Sequence, residues 1–211
     1  MIRLQITVKK GIAMSIRIPK QNRSRERRLR IMETALDLFA SKGINKTSSN
    51  EIAQKAGVSI GTFYSYFENK KTLFLEILEN HLENFITGIY TVNAADTIPI
   101  KDIIKDHIHK AFLTFDIHPS FHKEALVLKF SDTEVKRLFD EVEKKQLILI
   151  SSLLEPYCKK KDPQSLQIAS KVIHSAVETI AHYVKFLDSS MDQDRLVEEL
   201  TDMIYHYVSN L

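Results

Sequence analysis

Two helix starts eleven residues apart, with a glycine between them, constrain this chain more than any other feature. Ser48-Ser49-Asn50-Glu51 reads as a capping box, in which Ser48 takes an early helix amide and Glu51 reaches back to the cap amide. The short helix that follows buries Ile52, Ala53 and Ala56. Gly57 supplies the left-handed conformation for a sharp turn, and Val58 plugs the corner. Ser59 then caps a third helix, Ile60 to Phe67. A rotation of about 100° per residue sets Ile60, Phe63 and Phe67 on one side and Gly61, Thr62, Ser65 and Tyr66 on the other. Upstream, Leu29, Met32, Leu36 and Phe39 beside Ile31, Ala35 and Leu38 specify a helix over 25–42 that stops at Gly43. Together these elements read as a helix-turn-helix. Short helix pairs also serve purely structural ends, so that alternative stays open on this pattern alone.

Charge favours a polyanion partner. The net charge of +3 over 211 residues divides into +8 for residues 1–80 and −5 for residues 81–211. Arg17, Lys20, Arg23, Arg25, Arg27, Arg28 and Arg30 face one acid, Glu26. Pro19, Gln21, Asn22 and Ser24 make the first part of that run a poor helix, so residues 1–24 are expected to form a flexible arm that reaches phosphates or a minor groove. Met14 opens a segment that reads as well as Met1 for a start, and Met14 is expected as the initiator.

Gly43-Ile44-Asn45-Lys46-Thr47-Ser48, Glu51 to Ser59, Gly61-Thr62-Phe63-Tyr64-Ser65-Tyr66-Phe67 and Asn69-Lys70-Lys71-Thr72-Leu73 closely resemble the N-terminal domain of TetR/AcrR-family transcriptional regulators. The resemblance covers about residues 25–78 in unbroken register. Ser49 departs from it, since the family more often has an aliphatic residue there. The resemblance implies a homodimer on double-stranded DNA, its third helices in successive major grooves of a palindromic operator, with a helical C-terminal domain that binds a small molecule. On this basis Thr62, Ser65 and Tyr66 are expected at base edges, and Tyr64 offers its phenol to a phosphate. Lys70 and the helix end capped by Asn69 are expected to converge on one phosphate. Ser48 and Ser49 should contact backbone, Asn50 should reach a base, and Arg25, Ser59 and Gly61 complete the expected DNA surface.

The rest of the chain reads as helices over 70–90, 101–116, 120–130, 133–155, 164–187 and 194–209, punctuated by Pro99, Pro119, Pro156 and Pro163. The expected fold is all-α with about nine helices. The expected domains are the arm at 1–24, a helix-turn-helix DNA-binding domain at 25–72, and a ligand-binding and dimerisation domain at 73–211. Helix 164–187 is apolar over about half its wheel, wider than one surface requires. With helix 194–209 and their symmetry mates it is expected to form a four-helix dimer interface, core burial within a monomer being the alternative. Phe85, Ile89, Phe112, Phe115, Phe130, Phe139 and Tyr183 are candidate walls of an effector cavity, with His107 orienting the ligand. Ordinary core packing competes for each. The effector's identity is not legible.

His174, Glu178 and His182 recur every four residues. The histidines lie about 12 Å apart along the axis, so a solvated polar face is expected rather than a metal site. No metal and no cofactor is expected. No glutamate is followed three residues later by histidine, as di-iron bundles require, and there is no Gly-Xaa-Ser-Xaa-Gly nucleophile turn. An enzyme is therefore not expected. A constitutive architectural or interaction module that binds no ligand remains the competing reading. The longest aliphatic run, Leu147 to Ile150, falls far short of the roughly 18 residues of a membrane span. Without a secretory leader the protein is expected in the cytoplasm, and the lone Cys158 in a packing role.

Overall fold

The computed structural model describes residues 22–90, 98–157, 162–188 and 190–211. The expectations for Met14, for Cys158 and for residues 1–21 of the arm lie outside them, and residues 22–24, expected in the arm, are helical instead, with Ser24 bonded to Tyr66. Among the described residues there are nine α-helices and no strand. They are α1 (Asn22–Lys42), α2 (Ser49–Lys55), α3 (Ile60–Tyr66), α4 (Lys70–Ile89), α5 (Ile100–Thr114), α6 (Pro119–Lys129), α7 (Thr133–Leu154), α8 (Pro163–Phe186) and α9 (Gln193–Ser209), with a 3-10 turn Glu155–Tyr157 after α7.

Most helix starts follow from local chemistry. Ser48, Ser59, Asn69, Asp132, Asp162 and Asp192 each accept a hydrogen bond from an amide in the first turn of the next helix, satisfying donors that a helix leaves open. α6 starts differently: His118 stands before Pro119 in the left-handed region, at φ 54°. Half of the predicted capping box forms. Ser48 Oγ accepts from the Glu51 amide at 3.2 Å, but the Glu51 carboxylate turns to Lys42 and Lys55 instead, because α1 brings a cation within reach. The Lys42 hydrogen bond holds the Glu51 carboxyl below its usual range.

Two apolar cores share two long helices. The front core joins Ile31, Phe39, Ile52, Phe63 and Phe67 to Leu73–Leu82 of α4, Phe121 and Ala125 of α6, and Val135–Val142 of α7. The rear core joins Phe85 of α4 and Ile150 and Leu154 of α7 to α5, α8 and α9. α4 and α7 therefore run through both, and the helix-turn-helix has no core separate from α6. Where the cores meet, His81 of α4 and His122 of α6 are buried and joined by a 3.1 Å hydrogen bond between His81 Nε2 and His122 Nδ1.

Three further contacts fix α1–α3, one between α1 and α3 and two to the rest of the fold. Arg28 lies over the Phe67 ring at 4.8 Å and makes a bidentate 2.6 Å pair with Glu76 of α4. Ser24 and Tyr66 share a 2.8 Å hydroxyl hydrogen bond. Glu124 of α6 accepts from the Ile44 amide at 3.1 Å, in the loop that begins at Gly43.

Gly43 and Gly57 both have positive φ, 81° and 64°, but their surroundings differ. A Cβ on Gly43 would lie 2.6 Å from Glu124 Oε1, whereas one on Gly57 would meet nothing within 4 Å. Gly57→Ala is expected to cost the backbone strain alone, about 1–2 kcal/mol. Gly43→Ala should cost more, because it also displaces the Glu124 carboxylate. Urea unfolding of both variants checks the order, and equal losses would contradict it.

Candidate nucleic-acid interface and ligand cavity

α3 is held from beneath by Phe63 and Phe67, both essentially fully buried, and its outer side is open. Gly61, Tyr64 and Ser65 are exposed there, Tyr64 with about half its surface free (54%) and its ring edge-on to Phe63 at 5.3 Å. Ser59 and Thr62 hydroxyls bond each other at 2.9 Å, and Ser65 donates to the Thr62 carbonyl at 2.7 Å. Each hydroxyl keeps capacity for an outside partner. On the neighbouring elements Ser48 and Asn50 are exposed, Ser49 is half-buried, and Arg25 is exposed on α1. A glycine inside a helix costs stability relative to alanine. At Gly61 nothing in the fold demands one: a Cβ there would have Ser59 Oγ at 4.0 Å as its nearest neighbour. What this glycine provides is close access to the backbone from outside.

Two expected DNA contacts need correction. Tyr66 is buried (5% exposed) and bonded to Ser24, so it packs in the front core and does not face outward. Its partner in this exchange is Ile60, expected inside and found partly exposed (38%). On a helix of two turns the wheel leaves the rim residues undecided, and α1 settles them by lying over Tyr66. The Lys70 ammonium donates to the carbonyls of Ile44 and Thr47, each at 2.8 Å. It clamps the loop before α2 from below, and so is not held out toward a phosphate. Asn69 does cap α4, accepting from the Thr72 amide at 2.9 Å.

A cavity of about 130 Å³ opens between α4, α5, α7 and α8, room for about four waters or a group the size of a benzene ring. Phe85, Ile89, His107, Phe115 and Phe139 line it as expected. The other three candidates lie elsewhere. Phe112 is fully buried in the rear core, Phe130 is 89% exposed at the end of α6, and Tyr183 is 45% exposed on the outer side of α8. Ile104, Ile108, Val142, Ile150 and Ile204 are among the further apolar residues of the lining, and Tyr90, His122, Gln146, His174 and Glu178 are among its polar groups. The aliphatic walls were missed because an isoleucine facing a void has the same sequence pattern as one facing a neighbour.

α8 reverses its expected orientation. The stripe carrying Ser170, Lys171 and His174 is not solvated as a whole: Ser170 and His174 are buried, while Lys171 stays exposed. The stripe packs on a polar stripe of α7, through Ser151–Ser170 at 2.8 Å, Lys171 to Glu143, and His174 Nε2 to Gln146 Oε1 at 2.9 Å. His182 lies edge-on to Phe115 at 4.8 Å. The exposed side is partly apolar instead, with Ile168, Val172, Tyr183 and Leu187 on α8 and Met203 and Tyr207 on α9 all more than a third exposed. Among the described residues no group of three His, Cys, Asp or Glu is arranged to hold a metal. No described helix is long and apolar enough to cross a membrane.

Burial holds five histidines of this region below their ordinary pKa: His81 at about 4, His122 lower still, and His107, His174 and His182 in the same direction. All five are neutral at pH 7. In the unfolded chain they protonate near pH 6.5, so between there and pH 4 the unfolded state binds more protons and stability falls as pH falls. Each fully depressed histidine contributes a loss of about 1.4 kcal/mol per pH unit in that window. Urea unfolding at pH 7.5 and 5.5 is expected to show this loss, reduced by about one proton's worth in His122→Phe. A pH-independent midpoint would contradict it.

The model of bacterial regulatory proteins of the tetR family matches residues 31–77. The HTH-type transcriptional regulator YuxN of Bacillus subtilis is 31% identical over 153 residues, 68% of this chain and 50% of that protein, so the chain spans about half the length of this curated relative. The HTH-type transcriptional activator FasR of Mycolicibacterium smegmatis is 34% identical over 64 residues, 30% of this chain and 29% of that protein. A tetR-family regulator from Streptomyces coelicolor superposes with a TM-score of 0.70 at 21% identity, over 86% of this chain and 80% of that one. The fatty acid degradation regulator FadR from Bacillus halodurans gives 0.65 at 24% identity, over 89% and 96%. At these identities the two structures speak for the fold.

Proposed function

We propose that this chain, whose residues 31–77 match the model of bacterial regulatory proteins of the tetR family, is a dimeric, sequence-specific DNA-binding regulator that represses transcription and releases a palindromic operator when a small molecule fills its cavity. The observation that carries the reading is the outer side of α3. Gly61 leaves backbone open there, and Tyr64 and Ser65 stand exposed on a helix whose other side is locked in the core. A helix that had only to be soluble would gain stability from alanine at 61 and from charge at 64. Arg25 on α1 and the basic character of residues 1–80 add the electrostatic part of an affinity for DNA. Recognition then rests on hydroxyl, phenol and backbone contacts, with no arginine on α3 to read guanine.

The dimer is supported by the exposed apolar side of α8 and α9. Ile168, Val172, Tyr183, Leu187, Met203 and Tyr207 leave apolar surface that a second copy could cover. A two-fold axis through such a face would present two α3 helices to one side, as a palindrome requires. For release, a ligand withdraws binding free energy from the operator-competent spacing only if it favours another arrangement. α4 and α6 are suited to transmit this: both line the cavity, α4 enters the front core, and α6 contacts the Gly43–Ile44 loop through Glu124.

Selection of genomic fragments, including the DNA beside its own gene, followed by affinity at two salt concentrations, tests the reading. A palindromic site bound tightly, with a steep salt slope, is expected. Weak, sequence-independent binding would favour the architectural module, and no binding would overturn both. Against the selected site, Gly61→Ala is expected to be more stable than the parent by up to about 1 kcal/mol yet to bind DNA on the order of tenfold more weakly. Tyr64→Ala should weaken binding about fivefold, the worth of one hydrogen bond, with little change in melting temperature. Parental affinity in the glycine variant would remove α3 from the interface.

A further inference from the structure

The tautomer of one cavity histidine is fixed by its surroundings, and with it the chemistry that the cavity accepts. His107 Nδ1 lies 2.8 Å from the Ile103 carbonyl oxygen one turn earlier in α5. A carbonyl only accepts, so Nδ1 carries the proton. Burial keeps the ring from taking a second proton. Nε2 is therefore a bare lone pair, buried and without a hydrogen-bond partner. His107 lines the cavity beside Tyr90, whose ring centroid is 5.7 Å away. An unsatisfied buried acceptor costs about 1–3 kcal/mol, and what relieves it here must be a donor.

The rest of the lining sets the body of the ligand. Phe85, Ile104, Ile108, Phe115, Ile150 and Ile204 offer hydrocarbon from four helices. The volume suits a short chain of about six carbons. Lining charges give an anion no net advantage: Lys129 lies over the Phe139 ring, and Glu143 and Glu178 line the same cavity, Glu143 bound to Lys171. A carboxylate brought to His107 would set acceptor against acceptor.

We propose that the cavity takes a mainly aliphatic molecule carrying a hydrogen-bond donor, an alcohol or an amine, and that His107 Nε2 accepts from this donor. The proposal rests on the cavity being the effector site, and its test separates the two. Calorimetric titration of the full chain, without DNA, compares n-hexanol and hexylamine with methyl pentyl ether, which is isomeric with hexanol but has no donor, and with hexanoate. The alcohol, the amine or both should bind about fivefold more tightly than the ether and the acid. In His107→Phe, which keeps a ring against Tyr90 and removes the orphan nitrogen, the unliganded protein should melt no lower than the parent, and the alcohol-to-ether and amine-to-ether ratios should fall to about one. If His107→Phe does not fold, His107→Leu carries the same comparison. Tighter binding of the ether or of hexanoate, ratios unchanged in the variant, or no binding of any of the four overturns the proposal. Operator binding with the best ligand is measured in parallel. A donor ligand that binds through His107 but leaves operator affinity unchanged upholds the chemistry assigned to the cavity and refutes release.

Discussion

The hydrogen bond between His81 and His122 is made at the one depth in the molecule where the front and rear cores meet. It joins α4, which serves both cores, to α6, which carries Phe121 and Ala125 into the front core. Both rings are neutral through burial, so the bond is one between uncharged partners, worth about 0.5–1.5 kcal/mol net. Its value lies less in that sum than in position. His122 stacks on Phe85 at 4.9 Å and on Phe186 at 5.9 Å, and it also lines the cavity. Any shift of α6 relative to α4 is therefore felt at the cavity wall. Two residues further along α6, Glu124 is bonded to the loop before α2, so the same helix carries a contact at each end of the route from cavity to α3.

That route explains why the helix-turn-helix is not an independent unit here. Seven-residue helices such as α2 and α3 are too short to persist alone. They are kept in place by what they pack on: Phe39, Phe63 and Phe67 from within, and Leu73, Phe74 and Phe121 from α4 and α6. The polar contacts of Arg28, Lys70 and Glu124 then fix their orientation. A recognition helix supported through the ligand-binding side of the molecule has its position set by that side.

Much of this was legible in the sequence, for identifiable reasons. The six side-chain helix caps are local chemistry, and the residues that make them stand next to the helices they start. The nine helices follow from caps, prolines and period. What the sequence did not convey depends on which neighbour covers which side. Tyr66 and Ile60 lie at opposite rims of a two-turn helix, and α1 decides between them. Lys70 reads as a free cation until the loop carbonyls of Ile44 and Thr47 are folded beneath it. Phe130 and Tyr183, both natural choices for a cavity wall, lie outside because α6 ends and α8 turns where they do.

α8 is the clearest instance, and its orientation has a consequence for assembly. Its wheel carries an apolar arc too wide for one surface and a polar stripe, and the simplest assignment turns the polar stripe to water. The fold does the opposite, because α7 carries the complementary groups Glu143, Gln146 and Ser151 within reach of Lys171, His174 and Ser170. Matching polar stripes inside the protomer leaves part of the apolar arc outside, where Ile168, Val172 and Leu187 remain exposed at 54%, 49% and 77%. Hydrocarbon left in water at that density stabilises any arrangement that covers it, at about 25 cal/mol per Å² removed. The polar pairing of α7 with α8 and the proposed apolar pairing of α8 with its mate are thus two results of one choice. A substitution that made the α7–α8 contact apolar would rotate the helix and bury the surface on which the dimer is proposed to form.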